Sequence, residues 1–93
     1  MYRVIVLYEN EPDAAQYAEH VGVAERVPGA SFRHGRIFGS PMGEPKYGYY
    51  AEFEFPDRDA FDAGVRSEEF AASGRDVQER GLEFPTLLFA ELS

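Results

Sequence analysis

The sequence predicts an α+β domain in which a four-stranded sheet packs against helices. Three observations support this class: an apolar strand lies near each end of the chain, alternating strands lie in the middle, and helical segments separate them. With 93 residues the chain can bury one modest core, so we expect residues 1–93 to form a single domain. Hydrophobic residues make up 44% of the chain, which is too apolar for a disordered protein.

The first strand is predicted over residues 2–8, YRVIVLY, where β-branched and aromatic residues occur without glycine or proline. Both the even-numbered and the odd-numbered residues of this strand, which point to opposite faces, are mainly apolar. We therefore expect other parts of the molecule to cover it on both faces.

The first helix is predicted after the turn at residues 9–12. Asp13 with Gln16 three residues later indicates a capping box at its start. The helix is expected to run to about Arg26, because Pro28-Gly29 cannot continue it.

One histidine lies on this helix, at the margin of an apolar stripe. Tyr17, Val21 and Ala24 are spaced i, i+4 and i+7, and His20 lies among them. The buried stripe also includes small residues, Ala14 and Ala18, which is compatible with a cavity beneath the helix. The imidazole is therefore expected to point towards the core.

Two further strands are predicted in the middle of the chain. Residues 30–38 alternate in polarity, as is typical of an edge strand, and residues 39–46 form a turn-rich hairpin loop. Residues 47–55 place aromatic side chains on one face and two glutamates on the other. We expect the aromatic face of this strand to pack beneath the helices.

The last third of the chain predicts two helices and a final strand. A short helix is expected over residues 59–65 after Pro56-Asp57, and Ser67 caps another that ends at Gly81. Residues 86–92 form a strand that is apolar on both parities. The order βαββαβ, with its second helical segment broken in two, is the ferredoxin-like plan, with an antiparallel sheet and helices on one face.

Helices on one face leave apolar residues on the other face of the sheet. We expect four of them to face water in a monomer: Ile5, Leu7, Leu87 and Phe89. A homodimer that packs the open sheet faces together would cover them, with Arg33, Tyr50 and Glu52 among the polar residues between the sheets.

Charge and composition exclude several classes of function. The formal net charge of −8 opposes binding to nucleic acid or to an anionic membrane, and no segment has the roughly 20 apolar residues of a membrane span. There is no cysteine for a disulfide or a thiolate ligand. The N-terminus fits a strand better than a signal peptide, so we expect a soluble cytoplasmic protein.

Several motifs occur along the chain in a characteristic order. His20 precedes Val27-Pro28-Gly29, which is followed by the strand pattern YYAEFEF and by the capped helix entry SEEFAASGRD. In this order the chain resembles an EthD-like member of the dimeric α/β barrel superfamily, although Gly22 and Val23 stand where that family often has proline and leucine. The resemblance implies the ferredoxin-like fold and a homodimer.

The candidate site centres on His20, which could act as general acid or base on a phenol, enol or carbonyl. The alternative is a structural histidine that bonds to a backbone carbonyl or to water. Six aromatic residues form a candidate pocket for a flat ligand, or are plain core: Tyr8, Tyr17, Phe32, Tyr49, Phe53 and Phe70. His34 and Arg36 are secondary polar candidates, either for holding an anionic oxygen or as a solvated edge.

Two functions follow from these residues and from the resemblance. The first is a small-molecule-binding protein, accessory to the degradation of an organic compound. The alternative is a cofactor-independent enzyme, such as a lyase, isomerase, cyclase or monooxygenase, that acts on a small aromatic or polyketide-like substrate through His20. No metal-ligand spacing and no phosphate-binding motif occur, so we expect neither a metal nor a cofactor.

Overall fold

The computed structural model describes residues 1–93 and has the ferredoxin-like order that the sequence predicts. Its elements are β1 (Tyr2–Tyr8), α1 (Ala14–Ala24), β2 (Ser31–Arg36), β3 (Tyr49–Phe55), α2 (Arg58–Val65), α3 (Glu68–Glu79) and β4 (Thr86–Glu91). The strands form one antiparallel sheet in the order β2-β3-β1-β4, and the helices cover one of its faces. None of the helices has the length and apolar character needed to cross a membrane.

Side-chain caps start all three helices. The carboxylate of Asp13 accepts a hydrogen bond from the backbone N–H three residues later at 3.1 Å, and the hydroxyl of Ser67 does the same at 3.1 Å. Asp57 caps α2 in the same way at 2.8 Å. Each such cap contributes about 1 kcal/mol, so the short polar residues before each helix define where it begins.

The core lies between the helices and the covered face of the sheet. Every second residue of β1 and β3 points into it, and α1, α2 and α3 supply the opposite wall. Its buried hydrophobic members are Val4, Val6, Tyr8, Tyr17, Ala24, Val27, Ala51, Phe53, Phe55, Phe61 and Val77. The aromatic face predicted for the third strand therefore does pack beneath the helices.

The loop between β2 and β3 is longer than the sequence indicated, because both strands are shorter. It spans residues 37–48, and its base is held by a bond from the N–H of Ile37 to the carbonyl of Gly48 and by one from the N–H of Gly48 to the carbonyl of Tyr8. The expected small-residue stripe on α1 was also wrong in part, since Ala14 and Ala18 are exposed.

The strand register corrects the predicted apolar set on the open face. Phe89 pairs with Val4 and Leu87 with Val6, so both belong to the helix-covered side of the sheet. Leu88, which pairs with Ile5, lies on the open face instead. Paired residues of antiparallel strands share a face, and this register cannot be read from a strand that is apolar on both parities.

Polar residues form a connected network on the open face. Glu52 accepts hydrogen bonds from Arg33 at 2.5 and 3.0 Å and from the Tyr50 hydroxyl at 2.7 Å, and Arg3 bonds to Glu54 at 2.8 Å. Burial tends to raise the pKa of Glu52, but the bonds from Tyr50 and Arg33 outweigh burial and lower it. The three polar residues predicted between the sheets therefore lie together.

Candidate functional site

A cavity lies between α1, α3 and the helix-covered face of the sheet. Its volume of about 70 Å³ exceeds the roughly 10–15 Å³ that one water needs. Its walls are mainly apolar, and the polar side chains in them belong to tyrosines, His20 and Ser73. No lysine or arginine lines it.

Five of the six aromatic residues predicted to form a pocket line this cavity: Tyr8, Tyr17, Phe32, Phe53 and Phe70. The sixth, Tyr49, does not line this cavity but lies in a separate groove between α1 and the edge of the sheet. The ring of Tyr17 packs edge-on against that of Tyr49 at 5.1 Å and borders both the groove and the cavity.

His20 lies in the wall of the cavity and is 3% exposed. It occupies the buried face of α1 together with Tyr17 and Ala24, at spacings of three and four residues. Its Nδ1 lies 2.8 Å from Oδ2 of Asp76 on α3. The partner of the imidazole is therefore a carboxylate, and not the backbone carbonyl or water considered from the sequence.

Asp76 determines which nitrogen of His20 is available. Burial tends to raise the pKa of Asp76, but hydrogen bonds from Arg80 and His20 outweigh burial and lower it. Asp76 is therefore ionised at neutral pH and can only accept, so Nδ1 of His20 must carry a hydrogen. Nε2 has no partner in the chain, and it is the atom of His20 that a ligand can reach.

Residues of α3 complete the site, and of these the sequence analysis named only Phe70 as a site residue. Four residues of α3 line the cavity, and two of them, Ser73 and Val77, are buried; the other two are Phe70 and Gly74. The spacing of Ser73 and Val77, four residues apart, was the available signal. Asp76 had no comparable signal, because its role depends on how α3 packs against α1.

The two secondary candidates lie outside the cavity. His34 is exposed on β2, and its Nδ1 lies 2.6 Å from the hydroxyl oxygen of Tyr49. Arg36 is exposed at the end of the same strand and forms no ion pair within the chain. The ring of Tyr17 lies between the two histidines, 5.3 Å from each ring. Neither His34 nor Arg36 lines the cavity that contains His20.

One polar atom in this region lacks a partner. The hydroxyl of Tyr17 is buried without a hydrogen bond to any protein atom. Burial, with Tyr8 nearby, raises the pKa of Tyr17, so the phenol stays neutral. No group of three or more histidine, aspartate or glutamate residues is arranged to hold a metal ion.

No protein-family model and no curated protein sequence matches the chain. Among solved structures, it is similar to an ethyl tert-butyl ether D (EthD) family protein from Bacillus halodurans C-125. The two share 31% sequence identity over 100% of this chain and 99% of that chain, with a TM-score of 0.79.

Two more distant structures share the fold. A dimeric ferredoxin-like protein from Jannaschia sp. CCS1 is 20% identical over 98% of both chains, with a TM-score of 0.70. A variant of SnoaB, a cofactor-independent oxygenase from Streptomyces nogalater, is 17% identical over 98% of this chain and 89% of that chain, with a TM-score of 0.56. Together with the full-length match at 31% identity, this agreement in fold leads to one assignment: the chain belongs to the EthD family.

Proposed function

We propose that the protein binds a small, flat, hydroxylated organic molecule in the cavity between α1, α3 and the sheet. The observation that carries the proposal is His20, a buried imidazole in an otherwise apolar wall. Apolar walls with a few convergent polar groups are typical of small-molecule sites. A ring fits against the aromatic walls while its hydroxyl bonds to Nε2.

The charges around the cavity favour a neutral ligand over an anionic one. No cationic side chain lines the cavity, the formal net charge of the chain is −8, and Asp76 lies directly behind His20. A carboxylate in this cavity would lose its hydration without gaining a cation. A phenol or enol needs only one acceptor for its O–H, and Nε2 of His20 supplies it.

We also propose that the protein is a homodimer in which the open sheet faces pack together. Leu88 on that face is 50% exposed, and Ile5 and Leu7 lie beside it. A second copy that covers these side chains removes apolar surface from water. The similar protein from Jannaschia is described as dimeric, which supports this assembly.

The binding role fits an accessory protein in the degradation of an organic compound, as the EthD-like resemblance implies. Binding without turnover needs only the cavity and a hydrogen-bond acceptor. We expect this role to be performed in the cytoplasm, because the cysteine-free chain needs no oxidising compartment.

A thermal-shift titration tests the proposal. Phenol and catechol form the hydroxylated set, toluene is the apolar control, and benzoate is the anionic control. We expect the hydroxylated set to raise Tm most and benzoate least. His20→Asn keeps an amide N–H near the position of Nδ1 as a donor for Asp76 but removes Nε2, and it should weaken phenol binding about tenfold, as expected for one lost hydrogen bond.

His34→Ala is the matched control, because that histidine is exposed and lies outside the cavity. It should bind phenol like the wild type. Equal phenol affinity in the wild type and in His20→Asn would contradict the role given to the imidazole. If none of the four compounds raises Tm at millimolar concentration, the binding proposal itself is wrong.

A second function is favoured by the contact between His20 and Asp76. A neutral imidazole that donates Nδ1–H to a carboxylate is oriented to accept a proton at Nε2, and the carboxylate stabilises the imidazolium that forms. The site could thus deprotonate a phenol or enol, as a cofactor-independent enzyme requires. SnoaB, named as a cofactor-independent oxygenase, shares the fold and supports the plausibility of this chemistry on it.

Turnover separates the two functions. Wild-type protein incubated with a phenol or enol in air should change the substrate absorbance if the enzyme function is correct, and Asp76→Asn should slow that change while still binding substrate. Binding by the wild type without any change in substrate supports the accessory role.

A further inference from the structure

The mouth of the cavity is open in a single chain. Phe84 and Leu87 form part of the rim, and they are 71% and 47% exposed. Leu87 is the second residue of β4, an edge strand of the sheet, and Phe84 lies two residues before the strand begins. Nothing in the same chain covers this apolar rim, so a ligand in the cavity would remain in contact with water on that side.

A second exposed apolar group lies on the loop of residues 37–48. Phe38 and Met42 are 91% and 92% exposed, although large apolar side chains are rarely left so open without a partner. This loop follows β2, the strand at the opposite edge of the sheet from β4. Across a sheet of four strands these edges are about 14 Å apart. No residue of the loop lines the cavity of its own chain.

The strand register shows that the loop and the rim lie at the same end of the sheet. Arg36, where β2 ends, pairs with Tyr49, and Tyr49 pairs with Tyr8 at the end of β1. The neighbouring residue Leu7 pairs with Thr86, where β4 begins. The two exposed apolar groups therefore share one end of the sheet but lie on opposite edges.

Two symmetric ways exist to stack the open faces with strands roughly aligned. A two-fold axis parallel to the strands exchanges the edges and preserves the ends, so β2 of one copy lies beside β4 of the other. An axis across the strands instead places β2 beside its own copy. The first arrangement therefore brings the exposed Phe38 and Met42 of one copy to the end and edge where Phe84 and Leu87 of the other copy are exposed. The second arrangement exchanges the ends and leaves both apolar groups uncovered, so the first is favoured.

We propose that a second copy of this chain closes the cavity, with Phe38 of its 37–48 loop packed against Phe84 and Leu87 at the rim. The proposal rests on the proposed binding function and on the face-to-face dimer, and it adds a residue from the partner copy to the site. Each dimer then has two cavities, each made from the helices of one copy and the loop of the other. The partner's loop excludes water from the bound molecule.

Cross-linking between copies tests the arrangement, because the natural chain has no cysteine. Phe38→Cys and Phe84→Cys are prepared as separate proteins, mixed to allow exchange, and treated with a short bismaleimide at micromolar concentration. A covalent species of twice 10.5 kDa should form in the mixture and not in either protein alone. Asp59→Cys, on α2 near the other end of the sheet, mixed with Phe38→Cys is the control for random collision and should give none.

Each result decides the arrangement. A wild-type dimer with no cross-linked species in the mixture would show that Phe38 of one copy does not lie near Phe84 of the other, as expected for an axis across the strands, and would overturn the proposal. A mass of 10.5 kDa by light scattering for the wild type at the same concentration would also overturn it. Cross-linking confined to the mixture supports it.

Ligand affinity gives an independent measurement on the same residue. Phe38→Asp should weaken phenol binding about tenfold, and Phe38→Leu should bind phenol within a factor of two of the wild type. Unchanged affinity in Phe38→Asp would overturn the closing role of the partner. If the wild type binds no phenol at all, the binding function fails, whereas the cross-linking result still decides the arrangement of the copies.

Discussion

The Nδ1 atom of His20 lies 2.8 Å from Oδ2 of Asp76, and this contact joins α1 to α3 across 56 residues of sequence. Asp76 also accepts a hydrogen bond from Nε of Arg80 at 2.8 Å. The carboxylate thus holds the imidazole from one side and is itself held from the other. Such a support fixes both the ring orientation and the nitrogen that faces the cavity.

Replacing Asp76 should destabilise the protein. In Asp76→Ala the Nδ1–H of His20 stays buried without an acceptor, which costs about 1–3 kcal/mol of unfolding free energy. Urea unfolding followed by circular dichroism measures the loss. Asp62→Ala is the control, since that carboxylate bonds only to the exposed Arg58 one turn away and should cost no more than about 0.5 kcal/mol. Equal losses of unfolding free energy in the two variants would show that the contact between His20 and Asp76 does not stabilise the fold.

Protonation of Asp76 should contribute to the loss of stability in acid. Its pKa in the folded protein is lowered from the ordinary value of 3.8, because bonds from Arg80 and His20 outweigh the opposite effect of burial. A carboxyl group whose pKa is lower in the folded protein than in the unfolded chain stabilises the fold when it is ionised. This stabilisation is complete above the pKa of the group in the unfolded chain, and it is lost as the pH falls through the pKa in the folded protein. Wild-type Tm should therefore fall more steeply below about pH 4 than that of Asp76→Asn. Parallel curves for the two proteins would contradict this assignment.

Removing the hydroxyl of Tyr17 should leave stability unchanged or raise it by about 1 kcal/mol. This hydroxyl is buried without a partner, and a buried polar group of that kind carries a desolvation cost that phenylalanine does not have. Tyr17→Phe and Tyr49→Phe form a matched pair, because Tyr49 bonds to His34 and loses that bond. Urea unfolding should give a higher free energy of unfolding for Tyr17→Phe than for Tyr49→Phe. The reverse order would mean that an ordered water satisfies Tyr17.

Gly64 on α2 should not accept an alanine. A Cβ at this position would lie 2.2 Å and 2.7 Å from ring atoms of Phe55, which is fully buried and cannot move aside. Overpacking of this kind costs about 1–3 kcal/mol, more than alanine gains in helix propensity. We expect Gly64→Ala to lower the unfolding free energy.

Gly22 provides the opposite case within α1. A Cβ there meets no atom within 4 Å, so Gly22→Ala should stabilise the protein by about 0.5–1 kcal/mol through helix propensity alone. Thermal unfolding of the two variants side by side tests the close approach of α2 to β3. A gain in both variants would show that α2 can shift away from Phe55.

Much of the fold and of the cavity could be predicted from local pattern. Asp13 and Ser67 precede apolar periodic segments and do cap helices, because a short polar side chain bonds to the backbone within the same turn. The alternation of polar and apolar residues along β3 predicted that Phe53 faces the helices, and the spacing of apolar residues on α1 predicted that Tyr17 faces the sheet. Both residues line the cavity. These outcomes depend on neighbours a few residues apart, which a sequence displays directly.

Only the tertiary structure decided the features that depend on how distant elements meet. The strand β4 is apolar on both parities, so the pairing of Phe89 with Val4, and hence its face, came from the sheet register. The partner of His20 came from the packing of α3 against α1, where a shift of one residue along the helix would have turned Asp76 away. The sequence by itself determined that a histidine would face an aromatic core, and the packing of two helices decided which of its nitrogens is free to act.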